Sequence, residues 1–370
     1  MENSSGHEII ETDIAIIGGG SAGITLASQL SGHSAVVIEP KTPAERDACW
    51  ALWATSDQQN NFQSAIKGRW NQWRLVDHEQ EIIHNSHEYD YISLSSADYL
   101  RRCEETLSGN VSLVRATAEN VSPEGHGGSF SAKGQNYKAN YIYDSRPPRA
   151  TNEGLKQHFF GLEIRTKNLL KTPNIATLMD FRVDQSRGLH FIYALPYSDR
   201  EILIESTMIS KSLESEDWYR QAINQWLDQQ GIEIDTIVRQ ESGIIAMHSS
   251  LPIDPTMSRI GAASGAVRQS SGYAFTHIQS QVSQLVEGIE KGNFEVPKPL
   301  SSQLNYMDNL FNGVLTSEPR LAVSLMMKTA RSLNPEGFAR FMLGQATLID
   351  WIRVILSMPK IPFLKQVFKR

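Results

Sequence analysis

Gly18, Gly20 and Gly23 stand in the spacing G-x-G-x-x-G, and Glu39 follows the first of them by roughly twenty residues, the separation at which an acid meets a ribose hydroxyl. The first glycine allows a tight turn, the second lets the backbone approach a pyrophosphate, and the third lets a helix pack close to a strand. Helix amides at such a turn face phosphate oxygens. Gly265, Gly272 and Tyr273 form a later glycine-rich turn ahead of a second helix, placed to meet another face of the same ligand. Arg146 closes a polar turn at the end of an apolar run, where its charge either meets a ligand phosphate or anchors the turn. Glu205 carries a different chemistry. It lies between Ile204 and a short polar run on a strand-like segment, where burial would keep a carboxyl protonated and able to donate its proton. The same pattern suits an exposed strand acid or one paired with an arginine. Trp50, Trp53, Trp70 and Trp73 crowd a segment that a nucleotide fold does not need to be aromatic; they either fill a core or wall a greasy, cation-holding pocket.

These residues need a scaffold, and the patterning supplies one. Residues 13–17 are an apolar run of the kind a buried parallel strand shows, the glycine turn opens a helix, and residues 34–38 form a second strand. Further along, YDYISLSS reads as a strand leading into a helix capped by Ser95 or Ser96, and Gly125, Gly127 and Gly128 mark a hairpin. FFGLEIRT, ATLMDFRV, LHFIYALPY and EILIEST are strand-like with turn residues between them, followed by an amphipathic helix that Gly231 stops. The chain then returns to strand, glycine loop and helix. The expected fold is α/β: a Rossmann-type FAD-binding domain with an inserted antiparallel β-sheet substrate domain and a C-terminal helical region. Its parts are residues 11–80 and 81–158 of the nucleotide domain, 159–250 as the substrate layer, 251–298 as the third nucleotide part, and 299–370 as the helical region. An early Rossmann unit and a late glycine loop around an insertion point to FAD. In the tail, Leu348, Ile349, Trp351, Ile352, Ile355, Leu356, Phe363, Leu364 and Phe368 alternate with Arg353, Lys360, Lys365, Lys369 and Arg370. That is either a helix packed as a cap or one lying on a membrane surface with its basic groups at lipid headgroups.

Composition narrows the class. With 370 residues, 40% of them hydrophobic and 21% charged, the chain can bury a substantial core. A net charge of −6 argues against a nucleic-acid surface. Two cysteines, Cys49 and Cys103, give neither a disulfide framework nor a metal cluster, and no metal-ligand spacing is present. The polar, acidic start is not a signal peptide, and no apolar run reaches the about 18 residues of a spanning helix. The expectation is a protein on the cytoplasmic side, free or peripheral on a membrane.

IIGGGSAG, the CWALW region, YDSRPP, QHFFGLEIRT, ATLMDFRV, FIYALPYS, LIEST, QSSGYAF and SMPKIPFL, in that order, resemble the lycopene cyclase family of flavoproteins, which close the ends of linear carotenoids into rings. The resemblance runs over nearly the whole chain. It implies non-redox cyclisation of lycopene or a related linear carotene to a β ring with bound reduced FAD, and NAD(P)H as a reductant. It places the family's acid–base residue on Glu205. Ser206 departs from the Glu or Tyr usual at the following position. The chemistry agrees: a proton on the terminal double bond leaves a tertiary cation, a neighbouring double bond attacks it, and loss of a ring proton completes the product. Trp50, Trp53, Tyr193, Tyr197 and Tyr273 are the aromatic faces expected to stabilise that cation at substrate. Asp180 and Arg182 are expected to form a structural ion pair. The other reading is a redox flavoenzyme, an isoprenoid reductase or hydroxylase, on a hydrophobic substrate. Oligomeric state is left open.

Overall fold

The computed structural model of the protein describes residues 9–148, 153–248 and 253–368. Lys369, Arg370 and the expected boundary at residues 250–251 lie outside them. Among the described residues, three sheets carry the molecule. The first has Val111–Val114, Ala35–Ile38, Ile9–Ile17 and Gln135–Asp144 in parallel, extended by the antiparallel hairpin Gly127–Ala132 and Glu119–Glu124, with Ser258–Arg259 added in parallel beside Gln135–Asp144. Ile14, Ile16 and Val37 are buried under the helices Ser21–Gln29 and Phe275–Glu290, which is why these strands read as continuous apolar runs. Ile17 pairs with both Ile38 and Asp144, and Asp144 with Arg259, so the carboxyl ends of the strands meet at one crevice. Ligands of open α/β sheets bind there.

The second sheet is the inserted layer. Its order is Ile234–Ala246, Lys156–Thr166, Glu201–Ser210, Leu189–Pro196, Ile175–Asp180, Gln72–Val76 and Glu81–Asn85. Two differences from the sequence expectation follow. Residues 72–85 belong to this layer and not to the nucleotide domain, because Gln72–Val76 pairs in parallel with Ile175–Asp180. Residues 234–246 form a strand of their own at the sheet edge. Between them, Cys49–Thr55, Tyr89–Ser95 and Ile66–Trp70 make a third, three-stranded antiparallel sheet, again inside the stretch expected to be nucleotide domain.

Strand alternation decides what Glu205 sees. Ile202, Ile204 and Met208 pack under the helix Glu216–Gln230, which Gly231 ends at φ +68°. Leu203 and Ile209 face the other way, toward a core shared with the C-terminal helices, and Glu205 lies on their side of the strand. Asp180 and Arg182 form the expected ion pair at 2.6 Å, and Trp226 Nε1 donates to the same carboxylate at 2.9 Å, which ties the covering helix to the sheet.

Ser302–Ser317, Ala322–Ser332, Pro335–Met342, Leu348–Ser357 and Lys360–Val367 close the chain as helices. Caps set several of their starts: Asn334 precedes Pro335, and Thr347 forms a reciprocal capping box with Asp350. Among the described residues, no helix is long and apolar enough to cross a membrane.

Gly23 fixes how close the first helix comes to the first strand: a Cβ there would lie 2.0 Å from the Gly18 carbonyl oxygen. Gly23→Ala should therefore force the helix outward at a cost of about 1–3 kcal/mol, seen as a lower midpoint in thermal unfolding followed by circular dichroism.

Candidate active site

The crevice end of the first sheet is built around the glycine turn. Gly18 has φ +100°, and a Cβ on it would sit 3.1 Å from the backbone of Ser145 and Arg146. Ser145 Oγ accepts from the Gly23 amide at 3.1 Å, so the polar turn after Gln135–Asp144 braces the first helix. Gly20 is the N-cap of that helix without a side-chain cap, and its Cβ direction meets nothing within 4 Å. Of the first-turn amides, which lack intrahelical partners, that of Gly23 goes to Ser145, and those of Ser21 and Ala22 stand next to the open side of Gly20. An uncapped helix start beside an unfilled cradle fits a dinucleotide pyrophosphate. Glu39 lies at the lip, where its carboxylate accepts from the amides of Gly19 at 2.8 Å and Lys41 at 2.9 Å and faces Arg46 at 3.6 Å. A carboxylate has about four acceptor positions, so these bonds leave room for a ribose hydroxyl. Of the two roles open to Arg146, the structure shows the anchor: it forks onto Asp144 at 2.8 and 2.9 Å.

A cavity of about 340 Å³ adjoins the crevice, with Ser21 from the first helix in its wall. Glu205, Trp50, Trp53, Tyr193, Gly272 and Tyr273 line it, so sequence-predicted residues from four separate segments meet here. Trp53 is almost fully buried and packs on Trp73, Tyr91, Tyr273 and Phe338; Trp50 packs on Tyr99 and Phe275. The Tyr91 hydroxyl bonds those of Tyr193 at 2.8 Å and Tyr273 at 3.0 Å, and burial holds all three phenols above their usual range. Two expected residues stand elsewhere. Tyr197 is behind the wall: its hydroxyl bonds Ser93 Oγ at 3.0 Å, its ring packs on Trp70, and Lys67 sits 4.7 Å over its face. The alternation that turns Tyr193 into the cavity carries Tyr197 beyond the strand end at Pro196. Gly265 ends the short turn Gly261–Ser264 at φ +90° and is not in the cavity wall; Gly272, at φ +75°, is.

Glu205 does not stand alone. Across the sheet, Glu241, Gly161, Glu205 and Tyr193 share one register row. Gly161 has no side chain to separate the two acids, and a Cβ on it would lie 2.8 Å from Glu205 Cγ and 3.4 Å from Glu241 Cγ. The two carboxyls consequently come side by side. Glu241 Oε2 is already engaged by Arg239 Nη1 at 2.7 Å and by the Cys49 amide at 2.9 Å. Glu241 Oε1 is buried and has no donor unless Glu205 brings a proton. Burial first, then the Glu241 charge and the hydrogen bond to it, push the Glu205 pKa well above the usual carboxyl range, against the pull of Arg239. Arg239 also bridges Glu163 at 3.2 Å and Asp47 at 3.7 Å, so three carboxylates, that of Glu241 among them, share its guanidinium. Cys49 lies beside the pair, and burial and both acids push its thiol up to about 12. Among the described residues, no cluster of three or more His, Cys, Asp or Glu is placed to hold a metal ion.

The sequence model of the family described as lycopene cyclase protein matches residues 13–367. The chain belongs to the lycopene cyclase family. As a lycopene cyclase family member it is 27% identical over 250 residues to the lycopene beta-cyclase of Pantoea ananas, a match that covers 63% of this chain and just under two thirds, 64%, of that enzyme. Two solved structures share the fold of this lycopene cyclase family chain. A geranylgeranyl bacteriochlorophyll reductase-like protein from Thermoplasma acidophilum superposes with a TM-score of 0.62 at 13% identity, over 98% of this chain and 100% of that one. A flavin-dependent brominase does so with a TM-score of 0.57 at 12% identity, over 97% and 100%. The Rossmann-type domain with C-terminal helices and an inserted sheet, antiparallel except where Gln72–Val76 joins Ile175–Asp180, is thus a fold shared with flavin-dependent enzymes.

Glu241 and Gly161 are the residues that sequence reasoning missed. A glycine inside the strand-like run QHFFGLEIRT signals a close approach; the charged run around Glu241 carries no signal that separates it from a solvated edge.

The pair makes stability pH-dependent. Below the usual glutamate range Glu205 is protonated folded and unfolded alike. Above it the unfolded chain ionises first, so stability should fall as pH rises toward the elevated folded pKa. Glu205→Gln, whose amide donates to Glu241 in place of the acid proton, should flatten that decline in thermal unfolding measured from acid to alkaline pH.

Proposed function

We propose that this protein cyclises the end group of lycopene, or of a similar linear carotene, to a β ring without net oxidation or reduction. One observation carries the reading: a buried carboxyl, Glu205, set beside a second buried acid, Glu241, in the wall of an aromatic cavity that adjoins the glycine-turn crevice. FAD is the group the crevice suits, with Gly18, Gly20, Ser21 and Gly23 at its pyrophosphate and Glu39 at its ribose, and NAD(P)H is the reductant the reading calls for. When bound and reduced, FAD supplies electron density next to the cavity.

The chain's own residues do the acid–base work. Glu205 delivers its proton to the terminal double bond, and a neighbouring double bond closes the ring on the cation formed. The faces of Trp50, Trp53, Tyr193 and Tyr273 attract positive charge and exclude water. Once it has given up its proton, Glu205 stands as a carboxylate beside the charged Glu241. That repulsion makes it a strong base, and it takes back the proton from the ring carbon. The substrate's formula is unchanged and the enzyme returns to its starting state.

Glu205→Gln should keep its fold and bound flavin and lose ring formation by about 100-fold or more. Expression in a lycopene-accumulating host, with pigment analysis by chromatography and mass, tests this. A product of altered mass would point to a redox enzyme, and full cyclisation by the variant would remove Glu205 from the mechanism.

The reading includes a peripheral site on a membrane, where an oily substrate is found. Leu348, Leu356, Ile361 and Phe368 are 76%, 70%, 68% and 83% exposed on the last two helices, with Arg353, Lys360 and Lys365 among them. So many neighbouring large apolar side chains are rare on a monomer surface and suit burial at the headgroup boundary with lysine and arginine reaching phosphates. Leu348→Glu with Leu356→Glu, neither of them in the core, should leave thermal unfolding unchanged and abolish most co-flotation with vesicles containing anionic lipid.

A further inference from the structure

A second cavity, of about 390 Å³, lies beyond the one that holds Glu205. The two share Gln157, Met179, Ser271 and Met342 in their walls, so they adjoin. Met307, Phe311, Met326, Phe341, Trp351 and Phe363 give the outer wall its methionines and aromatic rings. Its charged groups are engaged, Lys360 Nζ by the Ile355 and Leu356 carbonyls and the other two by each other. Arg268 pairs with Asp308 at 2.6 Å and donates to the carbonyls of Phe341 and Met342 at 2.6 and 3.1 Å, and Ser270 Oγ bonds Asp308 at 2.7 Å. A polar ligand finds little to bond here, while methionines and aromatic rings adapt to a long apolar one. Ile355 and Leu364 also line this cavity, yet are 47% and 51% exposed, so its mouth opens on the apolar face of the last two helices.

Resting on the cyclase reading, we propose that the outer cavity holds the distal part of the linear isoprenoid chain while its end lies at Glu205, and that the chain enters from lipid through the mouth beside Ile355 and Leu364. The chamber is thus a binding site for the uncharged polyene stem, separate from the groups that act on its end.

Met326→Trp fills the outer cavity from the helix Ala322–Ser332 without touching the Glu205 chamber. In the full-length protein, titration with lycopene dispersed in detergent, followed by the shift of its visible absorption, should show binding weakened by about tenfold or more. Flavin content and thermal unfolding should match the parent. Ile355→Trp, at the half-exposed mouth, gives the same loss and decides the matter where Met326→Trp does not fold. Undiminished lycopene binding by either folded variant overturns the outer-chamber assignment, and leaves the cyclase reading standing if the parent converts lycopene. A parent that neither binds nor converts lycopene overturns the cyclase reading, and this one with it.

Discussion

The contact between Glu205 and Glu241 sets the terms for everything around it. Two buried carboxyls side by side resist ionising together, and Arg239 is placed against one of them, Glu241. The guanidinium and the Cys49 amide take one oxygen of Glu241 and leave the other facing Glu205. Removing either acid alone would strand a buried group, which costs several kcal/mol where a charge is left unpaired. The contact exists because Gly161 is missing a side chain in the strand between them, so one glycine lets the two acids approach.

Ser21 shows how the two halves of the site become one. It is the first residue of the helix that opens the nucleotide crevice and also part of the cavity wall that contains Glu205. The third sheet completes the join. It presents Trp50 and Trp53 to the cavity while Cys49 reaches the carboxyl pair with its amide. The aromatic wall and the acid are therefore held by different sheets, and their mutual position depends on packing between sheets and not on any local loop.

What could be read from the sequence follows from how far each signal reaches along the chain. The glycine turn, the first two strands and the helix between them are contiguous, and their apolar runs and spacing are set by local sterics; they were expected and are present. Four strands of the inserted layer, Lys156–Thr166, Ile175–Asp180, Leu189–Pro196 and Glu201–Ser210, were legible because turn residues stand between them. Its membership was not, since Gln72–Val76 joins through a parallel pairing with a segment about a hundred residues away, and no local pattern encodes that. The same limit applies at the site. Glu205 was legible as a carboxyl next to apolar neighbours, but Glu241 reaches it only through cross-strand register, and Tyr197 was placed in the cavity because the end of its strand at Pro196 could not be seen. The tail offered a packed cap or an interfacial helix; its inner side does pack on the core through Val354 and Met358, while its outer side remains apolar and exposed.

The interleaving of the sheets has a consequence for the polypeptide as it is made. The inserted layer is not an autonomous unit: two of its strands come from residues 72–85, ahead of the last parallel strands of the nucleotide domain. A fragment limited to the central segment would lack them and leave Ile175–Asp180 as a bare edge ready to pair with another copy. On a ribosome, the early hairpin must wait for about a hundred further residues before its partner emerges, so nascent chains expose unpaired strand for much of synthesis. Dissection into modules, natural or engineered, is closed to this chain by its topology.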